Sequence, residues 1–260
     1  MPHTLEIDIS DDLAVVTLNR PNAGNAVNAA MRSEFTAAMR SLNRDSRVRA
    51  VLLTGAGNRA FCAGQDFEES AGMALDQIRN WLAPQWAMYQ SIRDLDKGIV
   101  TAFNGAAVGI GLQLGLLTDI RIGYPEMRLG QSEVRFGLAS ILGSYLISLH
   151  VAHGHNVEMS LTGELISGTK ASEIGLLNHL VPQADVLPKA REIASSLAAV
   201  PANALRLTKT RFRQLTQPDF DDACNAVIGA HLEDYATGEP QALMRKFRVG
   251  RNKPAPGKSK

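Results

Sequence analysis

The sequence lacks the features that would mark a secreted, membrane or nucleic-acid-binding protein. It has only two cysteines in 260 residues, which excludes a disulfide framework and indicates a reducing compartment. Its 27 basic and 26 acidic residues nearly cancel, so it lacks the positive field that attracts nucleic acid. No apolar run approaches the roughly 18 residues of a membrane-spanning helix, and the N-terminus lacks the basic and apolar parts of a secretory signal. We therefore expect a cytoplasmic protein that binds neither nucleic acid nor a membrane.

The chain has the composition and length of a globular protein with a large core, since 45% of its residues are hydrophobic and 20% are charged. By pattern, strands are predicted at residues 5–9, 14–18, 49–54, 98–103 and 119–123. Helices are predicted after a cap at Asn28 and at residues 75–95, 112–117, 144–155, 157–161, 169–174 (capped by Thr169), 186–199, 201–214, 220–235 and 241–247. This order predicts an α/β core followed by a helical C-terminal region, and residues 251–260 have the composition of a disordered tail.

The stretch at residues 104–118, NGAAVGIGLQLGLLT, carries four glycines and no charge. A predicted strand enters it and a predicted apolar helix leaves it. Glycine lets backbone amides approach another group closely, and free amides at a helix start attract negative charge. Taken alone, the stretch is equally compatible with a turn that only packs a helix against a sheet.

A second glycine loop, residues 60–66 with the sequence AFCAGQD, also follows a predicted buried strand. Two loops of this kind, placed across one pocket, could form an oxyanion hole with two backbone donors. Each such donor stabilises an oxyanionic transition state by about 2.7–4 kcal/mol.

Five segments occur in an order that points to one family. They are RPNAGNAVN at 20–28, FCAGQD at 61–66, NGAAVGIG at 104–111, GQSEVRFGL at 130–138 and LTGELISGTKASEIGLLNHLV at 161–181. Together they resemble the crotonase superfamily, also called the enoyl-CoA hydratase/isomerase family, collinearly from about residue 5 to 250. The resemblance implies a crotonase-like α/β fold, with a spiral of ββα repeats over residues 1–200 and a helical trimerisation region over residues 201–250.

The resemblance also implies the kind of reaction and the assembly. The expected substrate is an acyl-CoA thioester whose enolate is held by two backbone amides, so coenzyme A enters with the substrate and no separate cofactor is expected. The expected assembly is a homotrimer, or a hexamer built from two trimers.

Carried over by position, the resemblance assigns the two oxyanion-hole amides to Gln65 and Ile110. It assigns CoA binding to the loop of Asn22, Ala23 and Gly24 together with Ala63 and Asp66. For Asp66, positioning of its loop and capping of the following helix are alternative roles, of which capping is favoured.

The acid–base residues are Glu133 and Gln113, and here the sequence departs from the hydratases of the family, which carry glutamate at both positions. A carboxamide cannot accept a proton at neutral pH, although it can orient a water or a carbonyl group. The resemblance therefore implies that Glu133 is the acid–base residue and that Gln113 assists it. A carboxylate enclosed by the apolar residues that follow it would have a raised pKa, which suits proton shuttling.

This single glutamate favours double-bond isomerisation of an enoyl-CoA. An enoyl-CoA hydratase or lyase that uses one glutamate is the alternative, and a non-catalytic acyl-CoA-binding protein is the alternative of another class. The resemblance also implies that residues 75–95 cover the acyl group, in which case Trp81, Trp86 and Met88 either line that cover or belong to the core.

The remaining reactive residues are interpreted as structural. Cys62 has no recognisable histidine partner, so a buried thiol is favoured over a nucleophile. His150, His153 and His155 are interpreted as helix-end or surface residues, and no metal is expected.

Overall fold

A computed structural model describes residues 3–251 of the chain. Its strands are β1 (Leu5–Ser10), β2 (Leu13–Leu18), β3 (Ala50–Gly55), β4 (Ala60–Cys62), β5 (Gly98–Ala102), β6 (Ala106–Val108), β7 (Ile120–Gly123), β8 (Arg128–Gly130), β9 (Ile166–Ser167) and β10 (His179–Leu180). Its helices are α1 (Ala29–Arg44), α2 (Phe67–Ser70), α3 (Ile78–Arg93), α4 (Ile110–Leu116), α5 (Ile141–Ser148), α6 (His153–Thr162), α7 (Gly168–Glu173), α8 (Val186–Ala199), α9 (Ala202–Ala236) and α10 (Glu239–Arg251). Short 3-10 turns lie at Pro21–Ala23, Leu75–Gln77, Glu133–Phe136 and Gln183–Asp185.

The strands form two sheets, and the chain passes repeatedly from one sheet to the other. The larger sheet has the order β1-β2-β3-β5-β7-β10 and the smaller has the order β4-β6-β8-β9. From β2 to β10 the neighbours in the larger sheet are parallel, so the chain needs a crossover between them. The crossover from β2 to β3 is helix α1, and each later crossover contains a strand of the smaller sheet followed by helical structure, as in β3 to β4 to α2 and α3. This arrangement is the predicted spiral of ββα repeats.

The N-terminal hairpin and the first helix follow local signals in the sequence. Strands β1 and β2 pair antiparallel around Asp11 and Asp12, whose φ angles of 49° and 60° are those that a tight hairpin turn requires. Helix α1 begins after Asn28, whose side chain accepts a hydrogen bond from the N–H of Met31 at 3.0 Å. Both predictions are confirmed.

Helix α4 lies unusually close to its neighbours because it contains glycine where a side chain would collide. A Cβ atom added at Gly111 would lie 2.1 Å from the carbonyl oxygen of Cys62. One added at Gly115 would lie 2.2 Å from the ring of Phe103. The glycines of the central stretch therefore bring the start of α4 against the loop that follows β4.

Two predicted helix boundaries in the C-terminal half are wrong. The predicted helix at 144–155 is divided, because α5 ends at Ser148 and α6 begins at His153. Between them the His150 side chain turns inward, and its Nε2 lies 3.0 Å from the carbonyl oxygen of Leu116. Helix α7 is capped by Ser167, whose Oγ accepts from the N–H of Lys170 at 3.1 Å, and not by Thr169.

The two helices predicted at 201–214 and 220–235 are one continuous helix, α9, which includes Pro218. Contacts on both sides of the proline hold the helix in place. The hydroxyl of Tyr145 donates to the carbonyl oxygen of Thr216 at 2.9 Å, and the guanidinium of Arg93 lies 4.3 Å from the ring centroid of Phe220. Tertiary packing thus outweighs the local preference of proline for a helix end.

The predicted C-terminal tail at 251–260 begins at the last residue of α10, and residues 252–260 lie outside the described residues. Among the helices of residues 3–251, none is both long enough and apolar enough to cross a membrane.

Candidate active site

An open cavity that encloses about 800 Å³, including the solvent space at its mouth, lies between the smaller sheet and the C-terminal helices. Its lining residues come from the glycine loop at residues 60–66, from α3, from the turn that begins α4, from residues 132–143, and from α9 and α10. The cavity therefore collects residues from the segments in which the sequence placed its candidate chemistry.

The two predicted oxyanion-hole residues, Gln65 and Ile110, both line this cavity. Within the described residues, neither backbone N–H makes a hydrogen bond, although the neighbouring backbone groups do. The N–H of Asp66 donates to Val27 at 3.1 Å and that of Gly109 donates to Gly130 at 2.9 Å. Ile110 is the first residue of α4, where an N–H has no acceptor within the helix.

The loops that carry these two amides are in direct contact. A Cβ atom added at Gly64, which has a φ of 102°, would lie 2.9 Å from the carbonyl oxygen of Val108 and 3.9 Å from the nitrogen of Ile110. Only glycine combines that φ with so close an approach. The two glycine loops thus present unpaired amides to one cavity, as an oxyanion hole requires.

Glu133 lies at the same place. It begins the 3-10 turn Glu133–Phe136 and lines the cavity. A Cβ atom added at Gly109 would lie 3.5 Å from its Oε1, so the carboxyl group is next to the residue that precedes Ile110. Burial raises the pKa of Glu133 to about 7, and a hydrogen bond from Gln113 opposes this rise.

Gln113 is held in one orientation by its neighbours. Its Nε2 donates to Glu133 Oε1 at 2.9 Å, and its Oε1 accepts a hydrogen bond from the hydroxyl of Tyr89. The Tyr89 oxygen in turn accepts from Gln85 Nε2 at 3.0 Å. Burial raises the pKa of Tyr89 well above its usual value, so the hydroxyl keeps its proton and acts as a donor. The row from Gln85 to Glu133 therefore points its last donor at the carboxylate.

A second amide, that of the fully buried Gln131, also serves Glu133. Its orientation follows from its partners. With its nitrogen toward Glu133, it donates to both carboxylate oxygens at 2.9 Å and accepts from Gln113 Nε2. Glu133 is the one carboxyl residue among the described residues that line the cavity. Glu133 is thus a single carboxyl group with two neutral amides around it.

The predicted CoA-binding residues lie together at the glycine loop of residues 60–66. Asn22 and Ala23 belong to the 3-10 turn Pro21–Ala23, and Gly24 follows it in a left-handed conformation with a φ of 63°. The N–H of Ala63 donates to the carbonyl oxygen of Gly24 at 2.9 Å, and Ala63 lines the cavity. Their part in CoA binding stays a prediction.

Asp66 both caps α2 and positions its loop. One carboxylate oxygen accepts from the N–H of Glu68 at 2.9 Å, and the other accepts from Arg20 Nη1 at 2.8 Å. The carboxylate is therefore engaged within the protein. A part for Asp66 in CoA binding also stays a prediction.

The other candidates divide between cavity and core. Trp81 and Trp86 line the cavity, whereas Met88 is fully buried in the core. Cys62 is buried, and burial raises the pKa of its thiol to about 12, which agrees with an unreactive thiol. No group of three histidine, cysteine or acidic side chains within residues 3–251 is arranged to hold a metal ion.

The sequence did not reveal the residues that orient the acid–base pair. Gln131 lies within the GQSEVRFGL segment, where its position beside Glu133 was the available signal. Tyr89 and Gln85 lie within a predicted helix, and their spacing does not distinguish them from ordinary core residues. A further cavity residue, His231 of α9, carried no sequence signal either.

Comparisons with known proteins agree with this geometry. Residues 8–236 match the family model for enoyl-CoA hydratase/isomerase. A short-chain-enoyl-CoA hydratase of Clostridium acetobutylicum is 32% identical, over 90% of this chain and 90% of that protein. The Bacillus subtilis protein YngF, which is named as an enoyl-CoA hydratase/isomerase, is 34% identical over 93% of this chain and 94% of its own. The crystal structure of an enoyl-CoA hydratase/isomerase from Mycobacterium paratuberculosis matches with a TM-score of 0.86 at 27% identity, covering 95% of this chain and 99% of that one.

Proposed function

Because the chain belongs to the enoyl-CoA hydratase/isomerase family of the crotonase superfamily, we propose that it moves the double bond of an enoyl-CoA thioester. The observation that carries this proposal is the pairing of Gln113 with Glu133. The amide donates to the carboxylate at 2.9 Å and is itself held by Tyr89, so one carboxyl group is left to handle protons.

The proposed reaction begins with the thioester oxygen bound by the Gln65 and Ile110 amides. The Glu133 carboxylate takes a proton from C2 or C4 of the enoyl thioester. The electrons pass to the thioester oxygen, where the two amides stabilise the negative charge. The same carboxyl group then returns the proton at the other carbon, and the double bond shifts by one position. A pKa of about 7 suits a group that must both accept and return a proton.

Hydration is the second candidate, and the names of several relatives favour it. The Clostridium acetobutylicum relative is named a short-chain-enoyl-CoA hydratase, and a Syntrophomonas wolfei relative at 28% identity is named a crotonyl-CoA hydratase. In a single-glutamate hydratase, Glu133 would take the proton of the attacking water and deliver one to the enolate. Gln113 would then hold the water, using the amide that it now offers to Glu133.

A binding protein without catalysis is less well supported. A non-catalytic member of the family would have no need of unpaired amides facing the cavity. The Gln65 and Ile110 N–H groups have no hydrogen-bond partner within the described residues, which favours a site in which both groups bind an oxyanion of the substrate.

Assembly into trimers, or into hexamers of two trimers, is part of the same proposal. The first half of helix α9 exposes three large apolar side chains, Leu207, Phe212 and Leu215, to 52%, 65% and 58%. In a monomer this apolar surface would stay in contact with water, whereas a subunit interface would bury it. This supports the assignment of residues 201–250 to oligomerisation.

The test is a panel that compares isomerisation of 3-enoyl-CoA with hydration of 2-enoyl-CoA at matched chain lengths. We expect isomerisation to have the higher kcat/KM. Hydration at high efficiency with no isomerisation would replace the first candidate by the second. Loss of both activities with retained thioester binding would support the non-catalytic alternative.

A further inference from the structure

The part of the cavity that α9 borders has more polar groups than a pocket for a plain alkyl chain needs. Its wall on α9 is formed by Val227, His231 and Tyr235, which recur every four residues and so share one face of the helix. His231 is only 9% exposed, and its Nδ1 has no hydrogen-bond partner within the described residues. Burial lowers the pKa of His231, so the ring is neutral near pH 7.

A second orphaned group lies on the facing helix. The indole nitrogen of Trp81 is buried and also has no partner among the described residues, and Trp81 lines the cavity. An indole N–H can only donate a hydrogen bond. Buried polar groups are nearly always paired in folded proteins, so unpaired ones in the wall of a cavity indicate a missing partner. Gln65, Trp86 and Ser140 also line this cavity with unpaired buried groups. Trp81 and His231 lie on the packed helices α3 and α9, and Trp81 lies nearer the His231 end of α9 than Trp86 does.

The packing of α3 against α9 brings Trp81 and His231 to the same end of the cavity. The helices run antiparallel, because Gln90 contacts Gln217 while Asp94 contacts Arg213. Continuing this register with a rise of about 1.5 Å per residue puts Trp81 about 7.5 Å, or about one and a half helical turns, from the level of His231. The 3-10 turn before α3 also contacts α9, so the two elements stay together to this end.

The missing partner is an uncharged group. The described lining residues include no lysine or arginine. Arg32 lies over the Trp81 ring but is not among the lining residues, and its charge is balanced by Glu69 at 2.8 Å, while its buried Nε and Nη1 have no hydrogen-bond partner within the described residues. A carboxylate would be buried there without a counter-charge, which is unfavourable. A carbonyl or hydroxyl oxygen can instead accept from the indole N–H and pair with the neutral imidazole.

We propose that the acyl group of the substrate carries an uncharged oxygen, a ketone or a hydroxyl, beyond the reacting carbons, and that Trp81 and His231 bind it. This inference rests on the proposed acyl-CoA function, because the thioester must occupy the Gln65 and Ile110 amides for the chain to extend toward α9. The tyrosine on the same face, Tyr235, does not share the role, since its hydroxyl donates to the carbonyl oxygen of Ser70 at 3.4 Å.

The test is calorimetric binding of saturated thioesters, which needs no turnover. The probes are octanoyl-CoA, 5-oxo-octanoyl-CoA, 7-oxo-octanoyl-CoA and octanedioyl-CoA, the last of which carries a terminal carboxylate. We expect one of the two oxo compounds to bind at least about tenfold more tightly than octanoyl-CoA. Octanedioyl-CoA should bind less tightly than that oxo compound. In His231→Phe and in Trp81→Phe the ratio between the affinities for the oxo compound and for octanoyl-CoA, measured on the same variant, should fall toward one. Tyr235→Phe is the matched control and should keep the preference.

The outcomes separate this inference from the function on which it rests. Equal binding of octanoyl-CoA and both oxo compounds to the wild type would overturn the inference and leave the acyl-CoA function standing. The inference would also be overturned if both the His231 and the Trp81 variant kept the preference for the oxo compound over octanoyl-CoA. Tighter binding of octanedioyl-CoA than of either oxo compound would overturn it as well. Failure of every thioester to bind would overturn the acyl-CoA function, and the inference with it.

Discussion

The hydroxyl of Tyr89 determines which end of the Gln113 amide faces Glu133, and its removal is the most direct test of the site. Tyr89→Phe deletes one oxygen from a fully buried ring and leaves the shape of the core almost unchanged. The Gln113 oxygen then loses its donor, and the amide can turn over at the expense of the contacts that its nitrogen makes with Glu133 and Gln131. In the turned state a carbonyl oxygen faces the carboxylate in place of an N–H.

The expected effect can be worked out from the hydrogen bond that is lost. A hydrogen bond to a charged group contributes about 1.5–3 kcal/mol, and a pKa changes by one unit for about 1.36 kcal/mol. Loss of the Gln113 donor should therefore raise the pKa of Glu133 by roughly one to two pH units above its value of about 7. The Gln131 amide still donates to the carboxylate and keeps the rise within this range.

The assay is kcat/KM measured from about pH 5.5 to 9.5 with the preferred enoyl-CoA. If the carboxylate form of Glu133 is the active one, the wild type should lose activity below about pH 7, and Tyr89→Phe should lose it below roughly pH 8–9. At high pH the two enzymes should converge. Tyr145→Phe is the matched control, because its hydroxyl donates to Thr216 and does not line the cavity.

Two results would refute this reasoning. An acid limb that stays at the wild-type pH in Tyr89→Phe would show that Tyr89 does not control the protonation of Glu133. A uniform loss of activity at every pH, shared by Tyr145→Phe, would show that the hydroxyl matters only for stability.

Three further predictions follow from the same geometry. Glu133→Gln should lose nearly all turnover and keep thioester binding, and wild-type-like turnover would remove Glu133 from the mechanism. On folding, the pKa of Glu133 rises from 4.5 to about 7. The folded protein therefore binds a proton that the unfolded chain releases, and the stability that this proton contributes is lost as the pH rises from about 4.5 to 7. Urea unfolding should accordingly find Glu133→Gln more stable than the wild type at pH 8 and not at pH 4.5. Gly64→Ala should lower kcat by about 10²–10³, because the added Cβ meets Val108 and displaces an oxyanion donor. Gly154→Ala is the control and should keep its activity, because there is open space around Gly154. Equal activities of the two variants would contradict the assignment of the oxyanion hole. Phe212→Glu should give a monomer in light scattering after gel filtration, and an unchanged oligomer would place the interface elsewhere.

The sequence predicted the parts of the fold that depend on local pattern. Strands β1, β2, β3, β5 and β7, and the helices that follow Asn28 and begin near residue 186, have clear periodicity or caps, and they form within a few residues of the expected bounds. Strands β4 and β6 were not predicted as strands. Each has three residues, too few for an alternation to be read, and each pairs with a strand distant in the sequence. Yet these two strands set the glycine loops that follow them side by side.

The same distinction holds in the site. Gln65, Ile110, Gln113 and Glu133 could be named because their segments carry recognisable motifs, and all four line one cavity. Tyr89 could not be named, because its partner Gln113 is 24 residues away and the contact exists only once the fold brings α3 and α4 together. Residues that carry chemistry lie in motifs, whereas residues that orient them are recognised only from the folded contacts.

The neutral side chain at position 113 is matched to its surroundings. Its oxygen needs a donor, and Tyr89 supplies one; its nitrogen needs an acceptor, and Glu133 supplies one. A carboxylate at this position would satisfy Tyr89 but would lie within hydrogen-bond distance of Glu133, and two carboxylates so close must share a proton. One of the two groups would then be protonated near neutral pH and would no longer act as a base. The amide avoids this conflict and leaves Glu133 as the one carboxyl group among the described lining residues, which suits the proposed reaction in which one group takes and returns the proton.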